Sequence, residues 1–136
     1  MNEIIAKSRT AHTPATWDFI PSDYSNLSLP DEQFDLLISL YAGFVSEHCT
    51  SFLRQGGHLL ANPSHGDVAM ASIDPRYELV AVVESRGGTY RVADQAVDTY
   101  LVPKRATEVT AEMLHRDGRG VAYTKSPFAY IFRRRK

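Results

Sequence analysis

The succession of elements along the chain predicts an α/β fold, a layered sheet with an antiparallel edge. Three observations carry that expectation. Phe34 to Leu40 is an apolar run interrupted only by Asp35, the pattern of a strand buried on both faces, as in parallel sheets covered by helices. Val45, His48, Cys49 and Phe52 then recur at helical spacing, before a further apolar strand. Tyr77 to Glu84 and Thr89 to Val92 flank Gly87-Gly88, the form of a hairpin with a tight turn.

Taken in order, Asn2 to about His12 is expected to be a short helix with Ile4, Ile5 and Arg9 on one face, stopped by Pro14. Trp17 to Ile20 reads as a short strand of aromatic and branched residues, ended by Pro21. Asn26 to Gln33 is loop, and Phe34 to Leu40 the buried strand. The helix from Val45 runs to Arg54 and is closed by Gly56-Gly57, since a helix end favours a residue with positive φ. His58 to Asn62 is the next strand. Pro63-Ser64 opens a helix to about Ile73, bounded by Asp74-Pro75. After the hairpin, Tyr100 to Pro103 is either an edge strand or a loop. Thr107 to His115 is a helix, Asp117 to Gly120 a turn, and Tyr130 to Phe132 a last strand.

The 136 residues suit one domain, 1–136, with room for a core. A hydrophobic fraction of 43% with 23% charged residues is that of a soluble globular protein, here expected in the cytoplasm. The formal net charge of -1 gives no global attraction to nucleic acid or membrane, so neither is expected as a partner. Arg133-Arg134-Arg135-Lys136 is the one run of a single sign, and it reads as a frayed, solvated tail. The single Cys49 excludes an internal disulfide and reads as a small buried apolar residue. No apolar run approaches a membrane span of ~20 residues. The five histidines are scattered, and His65 with Asp67 offers two ligands where a metal site needs three or four, so no metal is expected.

Ligands of open α/β sheets sit beyond the carboxyl ends of the strands. Those ends here carry Pro21-Ser22-Asp23-Tyr24, Ser39-Leu40-Tyr41-Ala42-Gly43 and Asn62-Pro63-Ser64-His65-Gly66-Asp67. Each set also serves as ordinary turn chemistry, but three on one rim indicate a ligand cleft.

Leu29-Pro30-Asp31, Phe34-Asp35-Leu36-Leu37-Ile38-Ser39 and Leu53-Arg54-Gln55-Gly56-Gly57, in that order, resemble the second half of class I S-adenosylmethionine-dependent methyltransferases. The resemblance implies a three-layer Rossmann-like methyltransferase sheet, truncated at its amino end and bearing an antiparallel edge. It implies S-adenosyl-L-methionine as cofactor and transfer of a methyl group to a small-molecule acceptor. Asp23 would accept a hydrogen bond from the adenine amino group, Tyr24 would lie beside the ring, and Ser39 would stand near the sulfur. Tyr41 and His65 would be the catalytic pair, with His65 the best-suited base because imidazole exchanges protons near neutral pH. Asn62 and Asp67 would face the substrate.

The family's Gly-x-Gly-x-x-Gly turn is absent from the chain, and so is the acidic residue that grips the ribose. The alternative implication is therefore a catalytically silent domain that acts as a binding or assembly module. Either way the strand from Phe34 would be an orphan edge, to be covered by Trp17 to Ile20, by a second copy in a homodimer, or by a companion chain.

Overall fold

The computed structural model describes residues 14–136, so the expected helix from Asn2 to His12 lies outside the described residues. Eight regular elements follow one another: β1 (Phe34–Ser39), α1 (Val45–Cys49), β2 (Leu53–Ala61), α2 (Asp67–Ile73), β3 (Tyr77–Arg86), β4 (Thr89–Ala93), α3 (Ala111–Asp117) and β5 (Ala129–Arg134). The five strands form one mixed sheet in the order β1-β2-β5-β3-β4. β1 and β2 are parallel; every other neighbouring pair is antiparallel. β5 runs against both β2 and β3, so β1, β2 and β3 share one direction and their carboxyl ends share one rim.

The register explains which face is covered. Leu37, Leu59, Phe132 and Leu79 are aligned across four strands, and Ser39, Ala61, Tyr130 and Val82 form the next row. These rows, with Tyr77 and Leu53, make the core, and α2 closes it with Val68 and Ala71. α3 rides on α2 through Leu114 against Ala69 and Met70. Burial of that face is the main stabilising term, at roughly 25 cal/mol per Å² of apolar surface removed from water. The Tyr77 hydroxyl, 2.7 Å from Thr50 Oγ1, is pushed up to about 12 by its burial.

The opposite face carries the alternate residues. One row is Leu36, His58, Arg133 and Glu78, the next Ile38, Leu60, Ile131 and Ala81. Among the described residues the helices gather on the covered face, so they supply two layers rather than the expected three. β1 is accordingly not buried on both faces. Phe34, Leu36 and Ile38 are 42%, 51% and 57% exposed, while Ser39 on the other face is buried.

Several expectations need correction. Trp17 to Ile20 joins no strand ladder and is irregular, with its apolar side chains exposed, so β1 remains the sheet's edge among the described residues. The helix from Val45 ends at Cys49, passes through a 3-10 turn over Thr50–Phe52, and gives way to β2 at Leu53. Gly56 and Gly57 therefore lie inside a strand and not at a helix end. There the ladder jumps from Phe34↔Leu53 to Leu36↔His58, and a Cβ on Gly57 would stand 2.8 Å from Leu53 Cδ1 and 2.9 Å from Arg54 O. A bulge with close backbone approach requires glycine as strongly as a helix end does.

α2 starts at Asp67, after Gly66 (φ 97), not at Pro63. α3 starts at Ala111, because the Thr110 hydroxyl accepts from Met113 N. Tyr100 to Pro103 is neither simple loop nor edge strand: Val97–Leu101 is a 3-10 turn and Pro103 bridges Tyr123. The basic tail is not frayed either, since Arg133 and Arg134 belong to β5 and Arg135 N donates to Arg76 O at 2.7 Å. The hairpin stands as expected, with Gly87 and Gly88 both at positive φ between Arg86 and Thr89.

Candidate functional site on the carboxyl rim of the sheet

Asp67 is the hub of the rim. Its carboxylate, 1% exposed, accepts from Ser39 Oγ at 2.6 Å, from Ser46 Oγ at 2.5 Å and from Ser46 N at 3.1 Å. The end of β1, the start of α1 and the start of α2 are thereby tied to one side chain. Burial pushes the Asp67 carboxyl above its ordinary value, against the pull of the Ser39 and Ser46 hydrogen bonds. Asp67 and Ser39 thus hold the rim from inside.

Asn62, itself buried, performs a second latch. Its Oδ1 accepts from Tyr41 N at 3.0 Å, and its own N donates to Ser39 O at 3.3 Å. Tyr41 is held in the left-handed region (φ 55) with its side chain 70% exposed. His65, in the turn closed by Gly66 N to Pro63 O, is also left-handed (φ 67) and exposed. Two non-glycine residues in this region, beyond the ends of two adjacent parallel strands, are strained features that persist only where their surroundings impose them. The His65 turn is braced from behind. A Cβ on Gly120 would fall 2.7 Å from Gly66 Cα, so the two backbones meet in contact.

Tyr24 fastens the preceding turn to the same loop. Its hydroxyl accepts from Phe44 N at 3.0 Å and sits where a Cβ on Gly43 would be, at 2.2 Å. Its ring lies tilted against His48 at 5.6 Å between centroids. Asp23 caps the 3-10 turn Tyr24–Asn26, accepting from Ser25 N at 2.9 Å and Ser25 Oγ at 2.7 Å. Those bonds hold its carboxyl below the usual range, and both fall on Oδ1, so the second oxygen keeps its accepting capacity.

The structure therefore joins Ser39 with Asp67, Tyr41 with Asn62, and Tyr24 with the loop after β1. Among the described residues, Asp23 and His65 make no hydrogen bond to the other five. Sequence reasoning missed Ser46 and Gly120; it places Gly43 on the rim by its position after β1, but does not show its contact with the Tyr24 hydroxyl.

It also missed a cleft of about 590 Å³ at the carboxyl end of β3. There Tyr100 Oη donates to Glu84 Oε1 at 2.5 Å, and Lys125 Nζ lies 4.7 Å above the Tyr100 ring while donating to Thr99 Oγ1. Arg86 and Phe128 complete its wall. β2 ends at Ala61, level with Val82 across β5, so β3 runs on to Arg86 and the cleft lies two strands across from β2 and beyond its end. Among the described residues no three His, Cys, Asp or Glu side chains are grouped to hold a metal. No helix among them is long and apolar enough to cross a membrane. No known protein family, curated protein or solved structure matches the chain.

Proposed function

We propose that the rim binds the adenosine end of an S-adenosylmethionine-type cofactor, in a Rossmann-like methyltransferase half-domain completed by a second copy or a companion chain. The observation that carries this reading is the pair Tyr41 and His65, left-handed and exposed beyond the carboxyl ends of β1 and β2, with Asn62 latching one of them. Asp23 suits the adenine amino group as an exposed, ionised acceptor with one oxygen uncommitted. Tyr24 stands next to it, anchored through Phe44 N. His65, exposed in the turn after β2, is the group that would take a proton from a small methyl acceptor lying on the rim.

The need for a second chain rests on β1. Its outer edge is open among the described residues and its exposed face is apolar, which is a template for another strand.

A second reading, a catalytically silent binding module, is favoured by two facts. Ser39 and Asp67 are engaged with each other inside the rim, and the chain contains no Gly-x-Gly-x-x-Gly turn. Titration calorimetry with S-adenosylhomocysteine separates the two. A dissociation constant on the order of micromolar, weakened tenfold or more by Asp23→Ala, is the cofactor-binding result. Absence of heat at millimolar ligand leaves the silent module.

A further inference from the structure

At the other end of the sheet, we infer a binding site for phosphate groups, formed by the amino ends of β2 and β3 and the carboxyl end of β5. A cleft of about 720 Å³ opens there, lined by Arg54, His58, Arg133, Arg134, Arg135 and Lys136 together with Glu78. The protein has 15 Lys and Arg and a formal net charge of -1, so five of those cations in one cleft are a local segregation of charge against a neutral whole.

The cations are not equivalent. Arg54 is bound to Asp35 and Arg133 to Glu78, which neutralises two of them. Arg134 donates instead to Leu53 O, and Arg135 Nε to Tyr77 O at 3.1 Å. Main-chain carbonyls fix these two side chains without cancelling their charge; Arg135 also makes a long ion pair of 3.9 Å with Glu78, a carboxylate it shares with Arg133, so three cations here face one acid. Guanidinium groups already held in place lose little freedom on binding, and their planar donor sets match phosphate oxygens. His58 stands between Leu36 and Arg133 on the open face of the sheet, at the cleft's side.

Gly56, at φ +80, lies at the floor of the cleft, where a Cβ would make only ordinary contacts with Arg54 Nη1 at 3.6 Å and Lys136 Cε at 3.8 Å. The sequence alone presents Arg133 to Lys136 as a run of like charges. The sheet anchors that run as a cationic end wall, because Arg133 and Arg134 lie in the interior strand β5 and Arg135 N donates to Arg76 O. Its volume suits two or more linked phosphates, whether in a free oligophosphate or along a nucleic-acid strand.

The test is an amide chemical-shift titration of the whole chain with pyrophosphate at low salt. Saturable shifts are expected at Gly56, His58 and Arg133 to Lys136, with affinity falling steeply as salt is added. Arg134→Gln with Arg135→Gln should weaken binding at least tenfold. Because Arg134 also holds β2, His58→Gln with Lys136→Gln is the second variant. It breaks no hydrogen bond of the structure, and should weaken binding severalfold at an unchanged thermal midpoint. A short single-stranded oligonucleotide forms the other arm. If it displaces pyrophosphate and binds more tightly, the phosphates are those of a nucleic-acid backbone. If it binds no more tightly, they belong to a small free ligand. No shift by about 10 mM pyrophosphate, or binding that neither double variant weakens, overturns the site.

Discussion

Asp67 shows how much one buried carboxylate can organise. Asp67→Ala would leave Ser39 Oγ, Ser46 Oγ and Ser46 N without their acceptor in a buried place. A loss of about 2–4 kcal/mol is expected in urea unfolding. The pH dependence has a definite sign. The folded state holds the Asp67 proton more tightly than the unfolded chain, whose value is 3.8. This contribution is therefore fully present below that value and is lost as pH rises through the elevated folded one. Thermal midpoints of the natural chain minus those of Asp67→Asn should fall as pH rises above about 4, and a difference that rises with pH would contradict the assignment. At Tyr41 the expectation is a split between stability and function. Tyr41→Gly relieves a left-handed backbone at an exposed side chain, so the unfolding free energy should change by less than about 1 kcal/mol. Ligand binding on the rim should nonetheless weaken. The sequence places Ser39, Tyr41 and Asp67 on the rim but not the pairing of Ser39 and Ser46 with Asp67, because those serines stand 28 and 21 residues away and a hydroxyl gives no pattern.

Elements set by local chemistry were readable, and those set by partners were not. The β3–β4 hairpin follows from Gly87-Gly88, whose two positive φ values match the twist of a two-residue turn. Leu53-Arg54-Gln55 are good helix formers, yet they start β2 because Phe34 pairs with Leu53 and the bulge at Gly56-Gly57 returns the chain to register. Trp17 to Ile20 has strand-forming residues but lies between Pro14 and Pro21 and meets no ladder. The glycines of β2 and of the hairpin should respond differently to alanine. Gly57→Ala would drive a Cβ into Leu53 Cδ1 and the carbonyls of Arg54 and Asp35, and should cost several times what Gly87→Ala does. At Gly87 nothing lies within 4 Å and only the backbone, at φ +58, resists, with a penalty of about 1 kcal/mol. Paired urea titrations check this, and equal losses would mean that the bulge is not tight.

For the molecule as a whole, the α/β class and the antiparallel finish could be anticipated from the alternation of patterns, while the insertion of β5 between β2 and β3 could not. A short strand ending in Arg133-Arg134 looks like a tail until Glu78 and Leu53 O are seen to receive its side chains, and Tyr77 O that of Arg135 just beyond it. The open face and the edge of β1 make the isolated chain incomplete in the proposed reading. Light scattering after size exclusion should give a particle of twice 15.2 kDa for the chain alone, and Leu36→Lys should reduce it to one. A monomer at all concentrations would leave a companion chain as the remaining cover. The central claim concerns the rim, and its most direct test is to map S-adenosylhomocysteine onto the backbone amides. The account predicts that shifts gather at Asp23-Tyr24, at Ser39 to Gly43 and at Asn62 to Gly66. Shifts confined to other parts of the sheet, or none at millimolar ligand, would contradict it.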